Sequence, residues 1–236
     1  MHFPIALQPY TVREELAADY YGTLDRIAAI GYRALEIGPP PPGIEAADML
    51  ARLDRLGVRV IGCHAGLEQL TDGLDALCDY LKAAGARYAA MSWRFDSKEE
   101  TLRLAERLNA IGGECRRRGI RLLYHNHDWE FVRYDGEYAL DIIRRETDPE
   151  LVQLELDTYW AAKAGVDPAA YLSTLAGRCP LLHIKDMEPG EERYFAEIGE
   201  GTLDFGAIVE TARRVGTEYL VVEQDVLGCP PDTHVD

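Results

Sequence analysis

An α/β fold, a (β/α)8 barrel of the TIM-barrel type, is the architecture this sequence predicts. Three observations point to it: eight short apolar runs alternate with longer stretches of helical periodicity, glycine closes most of those stretches, and 236 residues suit one undivided barrel. The whole chain, 1–236, reads as a single domain.

The strands expected from the apolar runs are Ile5–Gln8, Ala34–Ile37, Val58–His64, Tyr88–Trp93, Arg121–His125, Val152–Asp157, Leu181–His183 and Tyr219–Glu223. Between them the periodicity predicts helices over Tyr20–Ile30, Ala46–Leu56, Leu74–Ala84, Lys98–Arg118, Tyr138–Glu146, Pro168–Ala176 and Phe205–Val215. Gly31, Gly57, Gly85, Gly119, Gly177 and Gly216 each stand just past a helix, where a left-handed residue turns the chain toward the next strand. Strict strand–helix order favours a closed parallel barrel over an open doubly wound sheet. The first strand–helix turn also lacks the G-x-G-x-x-G fingerprint of dinucleotide-binding folds.

After the eighth strand, Asp225–Asp236 contains two prolines and a glycine, so a regular eighth helix is not expected. Outward-facing Ile5, Leu7, Leu220 and Val222 would then need other cover. A second copy of the chain in a homo-oligomer, the irregular tail, or residues missing from a shortened chain could supply it.

Lys and Arg number 25 against 41 Asp and Glu, a net charge of −16 distributed along the chain. Such a field repels nucleic acid and anionic membrane surfaces, although a bound dication can still admit a small phosphorylated substrate. No stretch approaches the roughly 18 apolar residues that span a bilayer, and MHFPIALQPYTVREE has no leader pattern. The five cysteines, Cys63, Cys78, Cys115, Cys179 and Cys229, are odd in number and lack a CxxC pair. They read as buried, reduced thiols of a cytoplasmic protein.

Barrel active sites form where strands end at the C-terminal mouth, and residues two apart on a strand share a face. The strand ends here carry Glu36, His64, His125 and His127, Asp157, His183 and Lys185, then Glu223 and Asp225. Gathering so many ionisable groups is costly unless they pair or ligate a metal. Asp157, His183 and Glu223 close consecutive strands and suit one divalent cation, with His125 as a further ligand. Imidazole favours Zn, Mn, Co, Fe or Ni over Mg, and Mg stays among the candidate ions. Glu36 and His64 stand where a substrate would meet the mouth.

The segment YHNHDWEF, Tyr124–Phe131, offers His127 and Glu130 as acid or base groups, with Trp129 shielding them. The competing reading is a loop in which Asn126 and Asp128 make local turns and Glu130 is solvated. Lys185 suits stabilisation of a substrate oxyanion, or structural pairing with Asp186 or Glu155. In IGEGTLDF, Ile198–Phe205, a lone GxG is weak evidence for a phosphate loop, and Asp204 reads as a helix N-cap. Tyr10, Trp93 and Trp160 could stack on a sugar ring or simply pack.

Taken in order, QPYTVRE, ALEIG, GCHAGLE, YHNHDWEF, LELDTYW, LLHIKDM, IGEGTLDF and VVEQD resemble the sugar phosphate isomerase/epimerase superfamily. These are the xylose isomerase-like barrels that also include type IV apurinic endonucleases. The resemblance implies one divalent metal held by a Glu on strand five, an Asp on six, a His on seven and a Glu on eight. Asp157, His183 and Glu223 match; the strand-five position holds His125-Asn126-His127 instead, and Glu130 could stand in from the loop.

The resemblance further implies proton abstraction next to a carbonyl through an enediolate, on a small polar, sugar-like substrate. Glu223 would serve as base or ligand, His127 and Glu130 as partner acid, and Lys185 would balance developing charge. The alternative is a lyase or dehydratase built on the same enediolate. An endonuclease would require more metal ligands and a basic groove, and a non-catalytic binding protein is the remaining possibility.

Overall fold

The computed structural model describes residues 3–226. Eight strands form the barrel: β1 (Ile5–Leu7), β2 (Ala34–Glu36), β3 (Arg59–His64), β4 (Tyr88–Met91), β5 (Arg121–His125), β6 (Val152–Asp157), β7 (Leu181–Ile184) and β8 (Tyr219–Val222). Each strand pairs in parallel with its neighbours in sequence. Closure comes from β8 against β1, with Ile5 opposite Leu220 and Leu7 opposite Val222. All eight anticipated strands form, several of them one or two residues shorter than expected.

The seven anticipated helices form as well, with short helices at Arg13–Ala18, Leu67–Leu70 and Thr158–Lys163 that periodicity did not reveal. All six post-helix glycines have positive φ. Gly216 is left-handed at φ 88° and ends the Phe205–Val215 helix, whose start is capped by Asp204 accepting from Ala207 N at 2.9 Å. The tail from 227 onward lies outside the described residues, so both the absence of an eighth helix and the state of Cys229 fall beyond them. The other four cysteines are buried and unbridged. No helix among the described residues is long and apolar enough to cross a membrane.

Two apolar regions hold the barrel. Between strands and helices lies the larger one, including Leu24, Met49, Leu108, Leu122, Ile143 and Leu172. Inside the barrel, Ala6, Ala34, Ile61, Tyr88, Ala90, Leu123, Leu181 and Val221 fill the floor. Tyr88 takes most of the space, and Gly62 beside it is obligatory, since a Cβ there would stand 2.7 Å from both Tyr88 Cβ and Tyr88 O.

A bulge in β3 sets the mouth. Leu35 pairs with Val60 but Glu36 pairs with Gly62, leaving Ile61 as the extra residue. Val60 and Cys63 belong to the outer core and Ile61 to the inner one, so the inward–outward alternation slips once. That slip turns His64 into the barrel, where its ring reaches Glu155.

Candidate active site and metal centre

The inward faces of β2, β3, β5, β6, β7 and β8 deliver Glu36, His64, His125, Glu155, Asp157, His183, Lys185, Glu223 and Asp225 to one end of the barrel. All except His64 are nearly or fully buried. Register explains the convergence: Asp157 lies opposite His183, and His183 opposite Val221, two residues before Glu223. A cavity of about 490 Å3 opens above them, lined by Gln8, Tyr10, His64, Trp93, Arg94, His125, His127, Trp129, Trp160, Lys185, Glu223 and Asp225. A larger cleft of about 630 Å3 lies at the opposite rim around Arg33, Asp54 and Arg59, but it contains no histidine.

His183 is the hub. Its Nδ1 is 2.9 Å from Glu223 Oε2, and its Nε2 is 2.8 Å from Glu36 Oε2 and 3.4 Å from Glu155 Oε2. Glu155 Oε2 also meets His64 Nε2 at 2.7 Å and His125 Nδ1 at 3.0 Å. His125 then directs Nε2 toward Asp157 Oδ2, 3.9 Å away. Asp157 uses Oδ1 to cap the Thr158–Lys163 helix through Trp160 N, and its backbone N donates to Asn126 Oδ1 at 2.9 Å. Its Oδ2 is buried without a hydrogen-bond partner, although Lys185 Nζ stands 3.1 Å away as a counter-charge.

Lys185 therefore sits among Asp157, Glu223 at 2.7 Å and Asp225 at 2.6 Å, not beside Glu155 or Asp186. Asp186 turns the other way. Its carboxylate accepts from Gly199 N, Gly201 N, Leu203 N and its neighbour Met187 N, so the glycine-bearing loop after β7 wraps a side chain of the protein itself. No phosphate cradle remains there.

The electrostatics follow from burial and these pairings. Burial opposes charge on His183, but Glu155, Glu223 and Glu36 outweigh it and hold the ring well above the usual imidazole range. Lys185 is likewise kept protonated by Asp157, Glu223 and Asp225 against its burial. Glu223 is pulled well below the carboxylate range by Lys185 and His183 despite desolvation. For Asp157 desolvation prevails, raising it to about 6. His125 falls to about 3 because burial, helped by the nearby His183 and His64 rings, outweighs its hydrogen bond to Glu155. His127, buried and flanked by His125 and Lys185, is also pushed far down and stays neutral.

Two groups of residues each bring their ligating atoms within 4.8 Å of one another: Asp157, His183 and Glu223, and, sharing His183, His64, His125, Glu155 and His183. Nitrogen and carboxylate donors in this proportion fit a divalent transition metal. The orphaned Asp157 Oδ2 is the atom such an ion would satisfy. Glu36 and Glu155 also fit the outer role of carboxylates that orient ligating imidazoles.

Of the anticipated residues, His64, Trp93, His125, His127, Trp160, Lys185 and Glu223 line the cavity, while Asp157 and His183 form its covered floor. Two are placed elsewhere. Glu36, expected to meet substrate, is fully buried and bonds His183 and Gln8. Glu130, expected as an acid or substitute ligand, is neither solvated nor at the cavity. It is fully buried, accepting from Tyr124 Oη at 2.8 Å and His127 N at 2.7 Å, because the loop folds it back beneath the β5 end. Burial raises it to about 8. The sequence reading named Asp225 only among the strand-end groups and Glu155 only as a structural partner for Lys185, with no individual site role for either. Glu155 was legible, since it stands two residues before Asp157 on the same strand face.

Fold and site together define an eight-stranded barrel with a candidate metal centre at its mouth. More particularly, residues 24–233 match the family described as xylose isomerase-like TIM barrel, and the chain belongs to it. Inosose dehydratase from Geobacillus kaustophilus is 28% identical over 194 residues, 70% of this chain and 61% of that protein, so the chain spans less than two thirds of that relative. A solved sugar phosphate isomerase/epimerase from Parabacteroides distasonis is 26% identical, with a TM-score of 0.78 over 97% of this chain and 88% of that one. The IOLI protein, solved with a zinc atom bound, shares the fold at 15% identity and a TM-score of 0.73, over 94% and 89% of the two chains.

Proposed function

We propose that the protein is a divalent-metal-dependent enzyme that isomerises or epimerises a small sugar or keto-sugar by removing a proton next to a carbonyl. The observation that carries this reading is the meeting of Asp157, His183 and Glu223 around an unsatisfied carboxylate oxygen at the cavity floor. With His125, these residues would hold the ion, and a protein of the same fold solved with a zinc atom lends support to a divalent metal. A divalent cation so held would polarise the carbonyl and stabilise the enediolate.

The chain's own groups divide the remaining work. Glu223 lines the cavity and is held ionised by Lys185 and His183, which makes it the first candidate for either role, base or metal ligand. His127, neutral on the same cavity wall, can hydrogen-bond the substrate's oxygens, and the carboxyl that has taken the proton is the group that carries it for return. Lys185 keeps its charge and opposes the negative charge that builds on the substrate. Trp93 and Trp160 offer ring faces to the sugar, and His64 can hydrogen-bond its hydroxyls.

A second reading is a dehydratase, in which the same proton loss is followed by departure of a neighbouring hydroxyl as water. It is favoured by the likeness to inosose dehydratase and by His125 standing where the resemblance expects a glutamate.

The test is incubation of manganese-, cobalt- or zinc-loaded protein with ketoses and inososes in deuterated water, followed by NMR. Deuterium next to the carbonyl with every hydroxyl retained supports the isomerase or epimerase, and loss of water supports the dehydratase. Neither exchange nor water loss with any compound, and an Asp157→Ala variant behaving identically, overturns both.

A further inference from the structure

The mouth cavity does not end at Trp93. A second hollow of about 280 Å3 adjoins it, lined by Trp93, Arg94, Phe95, Glu100, Arg103, Leu104 and Arg107. Trp93 and Arg94 line both spaces, so the end of β4 forms a common wall between the reaction chamber and this annex. Trp93 is 41% exposed, a large aromatic face left open beside the site.

The annex gathers three arginines in a chain whose net charge is −16. Elsewhere arginines such as Arg52, Arg118 and Arg145 are neutralised by carboxylates. The Arg94 and Arg107 side chains make no hydrogen bond or ion pair among the described residues, which is also true of the Arg59 and Arg213 side chains. Arg94 and Arg107, however, line one hollow beside the mouth, and each guanidinium lies over an indole. Arg94 stands 5.4 Å from the Trp129 ring centre, and Arg107 stands 6.0 Å from that of Trp93. A guanidinium held against a ring face keeps its in-plane N–H groups available, the geometry that matches a two-oxygen anion. The single carboxylate of the annex is already engaged, as Glu100 accepts from Asp96 N at 2.8 Å and faces Arg103 at 3.7 Å.

We propose that this annex binds a phosphate or carboxylate group carried by the substrate at the end remote from the reacting carbonyl. The sugar then lies across Trp93, its carbonyl over the metal-binding floor and its anionic end against Arg94 and Arg107. The proposal deepens the sugar-enzyme reading and rests on it for the orientation of the substrate. The anion site itself needs no turnover.

The test uses metal-free full-length protein, so that no bound cation can attract the anion. Tryptophan fluorescence is followed while inorganic phosphate is added in one arm and glucuronate in the other. The variants are Arg94→Ala alone, Arg94→Ala with Arg107→Ala, the corresponding double lysine variant, and Asp157→Ala, each checked for native circular dichroism. Saturable binding is expected in the wild type, weakened about tenfold or more in the double alanine variant. The lysine variant should fall between them and Asp157→Ala should match the wild type. Response to phosphate alone assigns a phosphorylated sugar, to glucuronate alone a sugar acid, and to both a general anion site. No saturable binding of either anion by the wild type, equal binding by the double alanine variant, or loss of binding in Asp157→Ala overturns the proposal. Failure of deuterium exchange with intact anion binding would instead sink only the catalytic reading.

Discussion

Replacing Glu130 by Gln tests the electrostatics beneath the mouth most directly. Burial raises this carboxyl from 4.5 to about 8. Between those values the folded protein keeps its proton while the unfolded chain releases it. The folded state therefore binds more protons, and stability falls as pH rises through the window, levelling above about 8. At about 1.4 kcal/mol per unit the full loss is about 5 kcal/mol, an upper bound because the cavity can relax around the charge.

Glutamine keeps the shape and removes the titration. Its carbonyl can accept from His127 N, and its amide can donate to Tyr124 Oη, which in turn donates to Trp93 O at 3.0 Å. Urea unfolding of metal-free wild type and variant between pH 5 and pH 9 measures the difference. The variant should gain on the wild type by several kcal/mol from the acid to the alkaline end, and should retain turnover because Glu130 does not line the cavity. Parallel stability curves for the two proteins would refute the claim that burial keeps Glu130 protonated.

Three further outcomes follow from the geometry. Asp157→Ala or His183→Ala should lower bound divalent metal at least tenfold in elemental analysis of refolded, metal-replete protein; wild-type metal content in both would dismiss the ligand assignment. Lys185→Met leaves Asp157, Glu223 and Asp225 without their shared cation and should cost about 3–5 kcal/mol in metal-free protein. Added manganese should recover much of that loss, and thermal melts with and without the ion decide it. Gly201→Ala puts a Cβ 2.3 Å from Asp186 Oδ1 and 2.5 Å from Met187 O, so the loop it closes must shift. A stability loss of about 1–3 kcal/mol and faster proteolytic cleavage near residue 200 are expected, and unchanged cleavage would argue against the Asp186 clamp.

How far the site could be read in advance differs from residue to residue. Asp157, His183 and Glu223 were legible because each ends a clean apolar run on consecutive strands, where period-two alternation fixes the face. Glu155 obeys the same alternation but lies deeper than the strand ends, where attention to the mouth alone does not reach. His64 follows no simple count, since the bulge at Ile61 reverses the parity of β3. The YHNHDWEF loop shows composition but not direction, so Glu130 looked like an acid at the mouth and proved to be an anchor below it. Asn126, read as a local turn-former, instead reaches across to the backbone of Asp157.

From the sequence alone came the barrel, its strand order, the glycines and caps that end its helices, and the presence of imidazoles and carboxylates at one rim. Those are properties of local periodicity and of chain order, which any short window of residues records. Partner choice came only with the tertiary structure: Lys185 with three carboxylates rather than Glu155, Asp186 with a loop of backbone amides, and Arg94 and Arg107 against indoles beside an open hollow. Such pairings join residues tens of positions apart, and their energies depend on burial, which is set by the packing of the whole barrel and written in no single segment.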